Sequence, residues 1–228
     1  MKLITVLSIT LAVGCGVVSS SKTADLKDLA PIPALESESE TPKGLQTAVF
    51  AGGCFWGVEA VFENVKGVTD AKSGYAGGTA KTANYDDVSG GGSEHAEAVK
   101  VTFDPAKVTY AQLLNVFFTV AHNPTELNRQ GPDTGTQYRS AIFYTGEDQQ
   151  KQVVAHIAEL DKSKVWPKPI VTQVVPLTKF FAAEAYHQNY LVRNPTQPYI
   201  VIHDMPKLEE LKKKFPELYA GKKSEPPA

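Results

Sequence analysis

The chain has 228 residues, of which 42% are hydrophobic and 21% charged, and its formal net charge is −2. This length predicts one globular domain with short appendages. No basic run alternates with aromatic residues, and we interpret Lys212, Lys213 and Lys214 as the solvated face of a C-terminal helix. We therefore expect no nucleic-acid partner.

The first residues, MKLITVLSITLAVGCG, have the pattern of an export signal. One lysine precedes an apolar run too short to span a bilayer, and small residues follow up to Cys15. The run from Ala12 to Cys15 also resembles a bacterial lipobox, although Ala12 stands where leucine is usual. We predict that residues 1–15 are a signal segment and that Cys15 is acylated, which gives an exported lipoprotein anchored to a membrane. A secreted or periplasmic protein, or a signal anchor with a free Cys15, is the alternative.

The chain changes in composition after this segment. Residues 16–45 are rich in Ser, Pro, Glu and Lys and have little apolar periodicity, so they are predicted to form a flexible tether. A folded domain is predicted over residues 46–220, and residues 221–228 are predicted to remain a disordered tail.

Strand-like and helix-like segments alternate through this domain. In chain order we predict a strand at 47–52, a helix opening at Cys54, a strand at 98–103, a helix at 109–122, a strand at 140–145, a helix at 147–163, a strand at 170–177 and a helix at 203–215. Asp204 is the expected cap of the last helix, and SGYAGG and SGGGS are expected loops. The alternation predicts a two-layer α/β sandwich in which helices pack on a mixed or antiparallel sheet.

Cys54 stands where a strand ends, behind two glycines, and opens a helix. Unpaired backbone N–H groups and the helix dipole at such a position are expected to lower the pKa of the thiol and favour the nucleophilic thiolate. The alternative is that Cys54 is a small buried hydrophobe, because it shares an apolar stripe with Val58, Val61 and Phe62.

The two aromatic residues after Cys54 are expected to differ in placement. Trp56 falls on the helix side of Glu59 and Glu63, so a core position explains it poorly, whereas Phe55 fits either side. An exposed aromatic side chain beside a reactive sulfur indicates a small apolar binding cup.

Glu97 is the second unusual residue. Alternation along EAVKVTF puts Glu97 on the buried face with Val99, Val101 and Phe103. A carboxyl group on that face is expected to have a raised pKa, which suits a general acid. The alternative is a strand-end glutamate that turns back to water.

The five histidines include no pair at three- to five-residue spacing, so no metal site is predicted. A Cys/His hydrolase or acyltransferase would need a base near Cys54, a position that His95 or His187 can fill in principle. A non-enzymatic binding module of a lipoprotein is the third functional class.

Several separated motifs resemble, in order, the peptide-methionine sulfoxide reductase A family. They are GGCFWGVEAVF, GYAGG, NYDDVSGG, HAEAVKVTFDP, GPDTGTQYRSAIFY and NPTQPYIVIHDMPKL, and they extend from Gln46 to Tyr219. The resemblance implies an α/β sandwich with a ferredoxin-like core. It also implies reduction of the S epimer of methionine sulfoxide, free or in peptides and oxidised proteins.

Roles follow from the resemblance at the matching positions. Cys54 matches the nucleophile that attacks the sulfoxide sulfur, and Glu97 matches the acid that protonates the oxygen. Phe55 and Trp56 match the residues that enclose the substrate methyl group. The family's hydrogen-bonding residues around the substrate match Tyr85, Asp133 and Tyr138.

The sequence departs from many family members in its cysteines. Its C-terminal segment has none, so an acylated Cys15 would leave Cys54 as the one thiol of the mature protein. We expect no bound cofactor and a Cys54 sulfenic acid that an external thiol reduces, either a thioredoxin-like protein or a small thiol.

Overall fold

The computed structural model describes residues 43–221, and a mixed sheet organises this part of the chain. The strands of the described residues are β1 Gln46–Gly52, β2 Val68–Ala76, β3 Ala96–Phe103, β4 Arg129–Gln130, β5 Asp133–Thr134, β6 Ser140–Tyr144, β7 Gln173–Pro176 and β8 Phe180–Ala182. The helices are α1 Phe55–Glu63, α2 Tyr85–Ser89, α3 Tyr110–Val116, α4 Glu147–Ser163, α5 Tyr190–Arg193 and α6 Met205–Lys214. The signal segment, Cys15, the tether up to residue 42 and residues 222–228 lie outside the described residues.

The described strands form a six-stranded sheet in the order β7-β6-β1-β3-β2-β8, and β4 pairs with β5 in a separate small hairpin. The central strands β6, β1, β3 and β2 pair with one another in antiparallel fashion, and β1-α1-β2-β3-α3-β6 is their chain order. This order and connection are those of a ferredoxin-like core. The edge strand β7 runs parallel to β6, so the sheet is mixed, and the predicted fold class is confirmed.

The core lies between one face of the sheet and the helices α1 and α3. Phe50 of β1 is fully buried and stacks on Phe62 of α1 at 4.8 Å and on Phe117 at 4.9 Å between ring centroids. Aromatic contacts of this kind add about 1 kcal/mol each to the free energy gained by burial, so Phe50 connects β1 to α1 and to the helical turn that follows α3.

The helix α3 begins with a capping box, in which the Thr109 side chain accepts from Gln112 N–H and the Gln112 side chain accepts from Thr109 N–H. It continues into a π-helical turn over Phe117–Ala121, which ends just before His122. A second π-helical turn, Ile200–Asp204, precedes α6. His122, which follows the first turn, lines the same cavity as Cys54, and the charge of Asp204, the last residue of the second turn, acts on Cys54.

Several expectations at the level of elements are wrong. SGYAGG is not wholly a loop, because Ser73 to Ala76 lie in β2, and β7 is shorter than the strand predicted at 170–177. The side chain of Asp204 makes no cap hydrogen bond and instead accepts from Lys207 Nζ at 3.1 Å. Lys214 is buried, and its Nζ donates to the Thr119 carbonyl at 3.2 Å, so it joins α6 to the first π-helical turn.

The helix α1 has no solvated side. Glu59 is only 1% exposed, and its carboxylate oxygens accept from the backbone N–H groups of Ser73 at 3.3 Å and Asn189 at 3.0 Å. The segment from Glu184 to Asp204 therefore covers the side of α1 that the sequence pattern assigned to solvent. Trp56 is the most exposed residue of the first turn, and it is half-buried.

Candidate active site

Cys54 stands between β1 and α1, at the cap position of the helix. The residue before it, Gly53, has a φ of 91°, and a Cβ there would lie 2.6 Å from the Cβ of Gln130. Both observations require glycine, because a side chain would be strained and would collide with Gln130 of the β4–β5 hairpin. The glycine before Cys54 therefore allows the hairpin to pack against the start of α1, and Cys54 is 8% exposed.

The ionisation of Cys54 differs from the sequence prediction. Burial raises the pKa of this thiol well above its ordinary value, and the charges of Glu97 and Asp204 raise it further. A hydrogen bond from the backbone N–H of Trp56 and the charge of Lys207 lower the pKa, but they do not compensate. The predicted low pKa is therefore wrong for the free protein, because desolvation outweighs the helix terminus.

Glu97 lies beside Cys54, as the family pattern implies. It is 3% exposed, and its Oε2 accepts from the backbone N–H of Phe55, the residue after Cys54, at 3.0 Å. Burial raises the pKa of Glu97 to about 8, partly opposed by the Phe55 hydrogen bond, and the charges of Asp133 and Asp204 raise it further. The carboxyl group is therefore mostly protonated at neutral pH, and it can donate a proton next to the sulfur.

An aromatic cluster holds Trp56 at the surface of the site. The indole ring stacks on Tyr190 at 3.8 Å with an interplanar angle of 8°, and it meets the edge of Tyr199 at 6.0 Å. Its Nε1 donates to His187 Nδ1 at 3.1 Å. This arrangement fixes a flat apolar wall and also fixes the tautomer of neutral His187, whose proton must be on Nε2.

Phe55 lies deeper than Trp56. It is 1% exposed, and its ring packs against Tyr75 at 5.9 Å and His187 at 5.0 Å. Phe55 therefore forms the floor of the aromatic cluster, while Trp56 reaches the solvent.

The other three residues matched by the resemblance, Tyr85, Asp133 and Tyr138, also lie in the region of Cys54 and Glu97. The pKa values of Tyr85 and Tyr138 are raised by burial and then by the charge of Glu97, with Cys54 a smaller cause for each. Both hydroxyl groups therefore stay protonated and can donate hydrogen bonds. Asp133 accepts a short hydrogen bond from the Tyr199 hydroxyl group. The fold thus brings all seven predicted site residues of the domain into one region.

The first residue of α2 is held by Glu184, which the sequence analysis did not single out. Glu184 accepts from the backbone N–H of Tyr85 at 2.9 Å and from the Tyr75 hydroxyl group at 2.8 Å. Tyr85 also packs on the ring of His187 at 4.4 Å. One carboxylate therefore connects the Tyr85 side of the site to the segment that carries His187.

Sequence reasoning also missed residues that follow β8, namely Tyr190, Tyr199 and Lys207. It named His187 only as a possible base and Asp204 only as a helix cap. The signal that could have found them is the density of aromatic and polar residues in EAYHQNY and QPYIVIHD. Amphipathic periodicity does not reveal it, because these residues lie on short helices and turns.

Neither His122 nor His95 is free to act as a base to Cys54, and Nδ1 of His187 accepts from Trp56. His122 lines the same cavity as Cys54, but its Nδ1 pairs with the Phe117 carbonyl at 2.9 Å and its Nε2 with the Ser140 hydroxyl group at 2.6 Å. Burial lowers the pKa of His122 to about 3, so it stays neutral. His95 is likewise engaged with Gly78 N–H and the Thr79 carbonyl.

A cavity of about 230 Å³ opens beside the sulfur. It is lined by Cys54 and by the β4–β5 region on one side, and by Tyr199, His203 and Lys207 on the other.

Within residues 43–221, no group of three or more His, Cys, Asp or Glu residues is arranged to hold a metal ion. In the same part of the chain, no helix has the length and apolar character needed to cross a membrane.

The chain is similar to known proteins over almost all of the described region. The family model for peptide methionine sulfoxide reductase matches residues 46–219. Peptide methionine sulfoxide reductase MsrA 2 of Mesorhizobium japonicum is 54% identical over 185 residues, which cover 81% of this chain and 95% of that protein. A protein of the same name from Synechocystis is 49% identical and is covered to 86%.

Two solved structures share the fold. Mxr1 from Saccharomyces cerevisiae in reduced form superposes with a TM-score of 0.64 at 35% identity, over 68% of this chain and 89% of that chain. Methionine sulfoxide reductase A of Corynebacterium diphtheriae superposes with a TM-score of 0.60 at 34% identity, over 68% of this chain and 78% of that chain.

Proposed function

Because the chain belongs to the peptide methionine sulfoxide reductase family and is a thiol-dependent reductase of methionine sulfoxide, we propose that Cys54 is its nucleophile and Glu97 its general acid. The observation that carries this proposal is the hydrogen bond from Phe55 N–H to Glu97 Oε2, which holds a buried protonated carboxyl group beside the sulfur. We propose the S epimer of the sulfoxide, free or in proteins and peptides, as the substrate.

The chemical step transfers the sulfoxide oxygen to Cys54. The thiol loses its proton, the thiolate attacks the sulfoxide sulfur, and Glu97 donates a proton to the oxygen. As the bond between that oxygen and the substrate sulfur breaks, the oxygen forms a bond to the Cys54 sulfur and the transient bond between the two sulfurs breaks, which releases methionine and leaves a Cys54 sulfenic acid. The proton that the thiol lost balances the proton that Glu97 donated. The substrate sulfur gains two electrons, and the Cys54 sulfur loses two.

Protonation of Glu97 serves this step in two ways. A neutral carboxyl group can deliver the proton. It also removes the negative charge that raises the pKa of Cys54 at higher pH. A protonated Glu97 therefore makes the thiolate easier to form next to it.

The surrounding residues support binding of a sulfoxide. The hydroxyl groups of Tyr85 and Tyr138 stay protonated and can donate hydrogen bonds to an oxygen that gains negative charge. The stacked ring of Trp56, with Phe55 beneath it, provides an apolar surface for the substrate methyl group. We propose that Asp133, through Tyr199, keeps the wall opposite Cys54 in place.

The enzyme is proposed to be regenerated by an external thiol. Cys54 is the one cysteine of the described residues, and the other cysteine in the sequence is Cys15 in the predicted signal segment. One thiol condenses with the sulfenic acid and releases water, and a second thiol, or the partner of a dithiol, then restores Cys54 and leaves as a disulfide. A thioredoxin-like protein or a small thiol can fill this role. We also propose that the protein acts outside the cytoplasm, anchored through an acylated Cys15.

A stereospecific assay tests this function. The purified protein, with dithiothreitol as reductant, is given each of the two diastereomers of a methionine sulfoxide compound, and a Cys54→Ser variant serves as control. We expect turnover of the S diastereomer alone and none with the variant. Turnover by the variant, or conversion of the R diastereomer, would contradict the proposal.

A further inference from the structure

An ion pair lies directly on the first turn of α1. Lys207 Nζ donates to Asp204 Oδ1 at 3.1 Å, and the Asp204 side chain is fully buried. A Cβ added to Gly57 would lie 2.0 Å from Asp204 Oδ1 and 2.8 Å from Lys207 Nζ. The pair is therefore in contact with the backbone of the helix that begins at Cys54.

The lysine of this pair also lines the cavity that opens beside the sulfur. Lys207 and Cys54 line the same cavity, and 21% of the Lys207 side chain is exposed. Asp204 Oδ2 has no hydrogen-bond partner among the described residues, so the carboxylate charge is compensated mainly by Lys207. In a buried site with few other dipoles, such charges act strongly on their neighbours.

The other ionisable groups around Cys54 do not supply a fixed positive charge. Glu97 on β3 and Asp133 on β5 are acidic, and the cavity also contains Glu126 and His203. The hydroxyl groups of Tyr85, Tyr138 and Tyr199 have raised pKa values and are neutral, and His122 is neutral as well. Among the charged groups that act on Cys54, Lys207 is the one that favours its thiolate.

We propose that Lys207 stabilises the thiolate of Cys54 and that Asp204, which holds Lys207 in place, limits this effect through its own negative charge. Lys207 acts on the reaction through Cys54 and is a positioning residue in that sense. The inference rests on the proposed nucleophilic role of Cys54. It assigns to the start of α6 a function in setting the reactivity of a thiol that burial would otherwise keep protonated.

The proposal predicts opposite effects on the alkylation of Cys54 when Lys207 or Asp204 is replaced. Opposite effects distinguish a change of charge from a loss of structure. Iodoacetamide alkylation of Cys54 is measured against pH in the wild-type protein and in the Lys207→Met and Asp204→Asn variants. We expect Lys207→Met to slow alkylation about tenfold at pH 8 and to move the pH profile upward. Asp204→Asn keeps an oxygen that can accept from Lys207, and we expect it to speed alkylation and move the profile downward.

Two further variants complete the design. Lys212→Met removes a lysine from an exposed position of the same helix and should leave the pH profile of alkylation unchanged. Lys207→Arg keeps the positive charge and should have a profile close to that of the wild-type protein. A shift of both pair variants in the same direction, or a Lys207→Met profile equal to that of Lys212→Met, would overturn the inference. If Asp204→Asn does not fold, the comparison of Lys207→Met with Lys207→Arg tests the inference: slow alkylation in the first and a wild-type rate in the second support it, and equal rates overturn it.

Alkylation does not require sulfoxide reduction. An unchanged alkylation profile in a protein that reduces the S diastereomer would therefore reject the role of Lys207 alone. The predicted opposite shifts in a protein that reduces neither diastereomer would support the role of Lys207 and reject the proposed function.

Discussion

The backbone N–H of Phe55 donates to the carboxyl group of Glu97 at 3.0 Å, across 42 residues of chain. Phe55 follows the proposed nucleophile on α1, and Glu97 lies on β3, so the hydrogen bond joins the two layers of the sandwich at the reacting centre. Because the group that accepts this bond is buried, its pKa is raised to about 8 and not lowered. The same contact therefore positions the acid and leaves it protonated.

Replacement of Glu97 by glutamine should separate the two roles of this carboxyl group. The amide cannot deliver a proton, so we expect single-turnover reduction of the sulfoxide to fall about 100-fold or more. The variant has no negative charge next to the sulfur, so alkylation of Cys54 by iodoacetamide should become faster at pH 8 to 9. Rapid-quench assays and alkylation rates measure the two effects. A near-normal rate of single turnover would show that the proton comes from another group.

The proposed cycle uses Cys54 as its only protein thiol, and this predicts which species accumulates when no reductant is present. When the mature protein is mixed with substrate alone, we expect one equivalent of methionine and a Cys54 sulfenic acid that dimedone traps. Peptide mass spectrometry locates the adduct, and a sample without substrate is the control. Detection of an internal disulfide in place of the adduct would refute the cycle, and a Cys15–Cys54 linkage would identify Cys15 as a free thiol.

Loss of the indole ring of Trp56 should weaken substrate use but not thiol chemistry. Trp56→Ala removes the ring that stacks on Tyr190, and we expect kcat/KM for the sulfoxide to fall about tenfold or more. The alkylation rate of Cys54 should change little. Val154→Ala, which removes an exposed apolar side chain from α4, is the control. Equal losses in alkylation and in kcat/KM would indicate a general disturbance of α1 instead.

The buried carboxyl group of Glu59 should make stability depend on pH. Burial raises its pKa to about 8 from an ordinary value of 4.5, so the folded state favours the neutral form. Its contribution to stability is full below pH 4.5 and is lost as the pH rises towards 8, with a slope of up to about 1.4 kcal/mol per pH unit. Urea unfolding at pH 5, 6.5 and 8 should show this decline in the wild-type protein.

Glu59→Gln should flatten that decline, because the amide does not ionise. Glu147→Gln changes a carboxylate on the exposed surface of α4 and should leave the decline as it is. Some pH dependence should persist in Glu59→Gln, since Glu97 is also buried and also has a pKa near 8. An unchanged slope in Glu59→Gln would show that Glu59 ionises without cost in the folded protein.

Local patterns in the sequence were sufficient for much of the fold. The predicted helix at 147–163 coincides with α4, and the alternation along β3 correctly put Glu97 on the inner face with Val99. Both results depend on side-chain periodicity within one element, which the sequence displays directly.

The remaining features depend on contacts between distant parts of the chain. Periodicity assigned one side of α1 to water, but the segment around Asn189 covers it and buries Glu59. The low pKa expected for Cys54 failed for the same reason. A helix terminus can be read from sequence, whereas the desolvation that outweighs it arises only when Asp204 and its neighbours pack against the helix.

The position of this covering segment has a consequence for biogenesis. Cys54 leaves the ribosome early, whereas Tyr199, Asp204 and Lys207 are among the last residues of the domain to be synthesised. A nascent or truncated chain that lacks them exposes its thiol to oxidants and lacks the wall that faces Trp56. The burial that raises the pKa of Cys54 is therefore complete only after the last part of the domain has been synthesised.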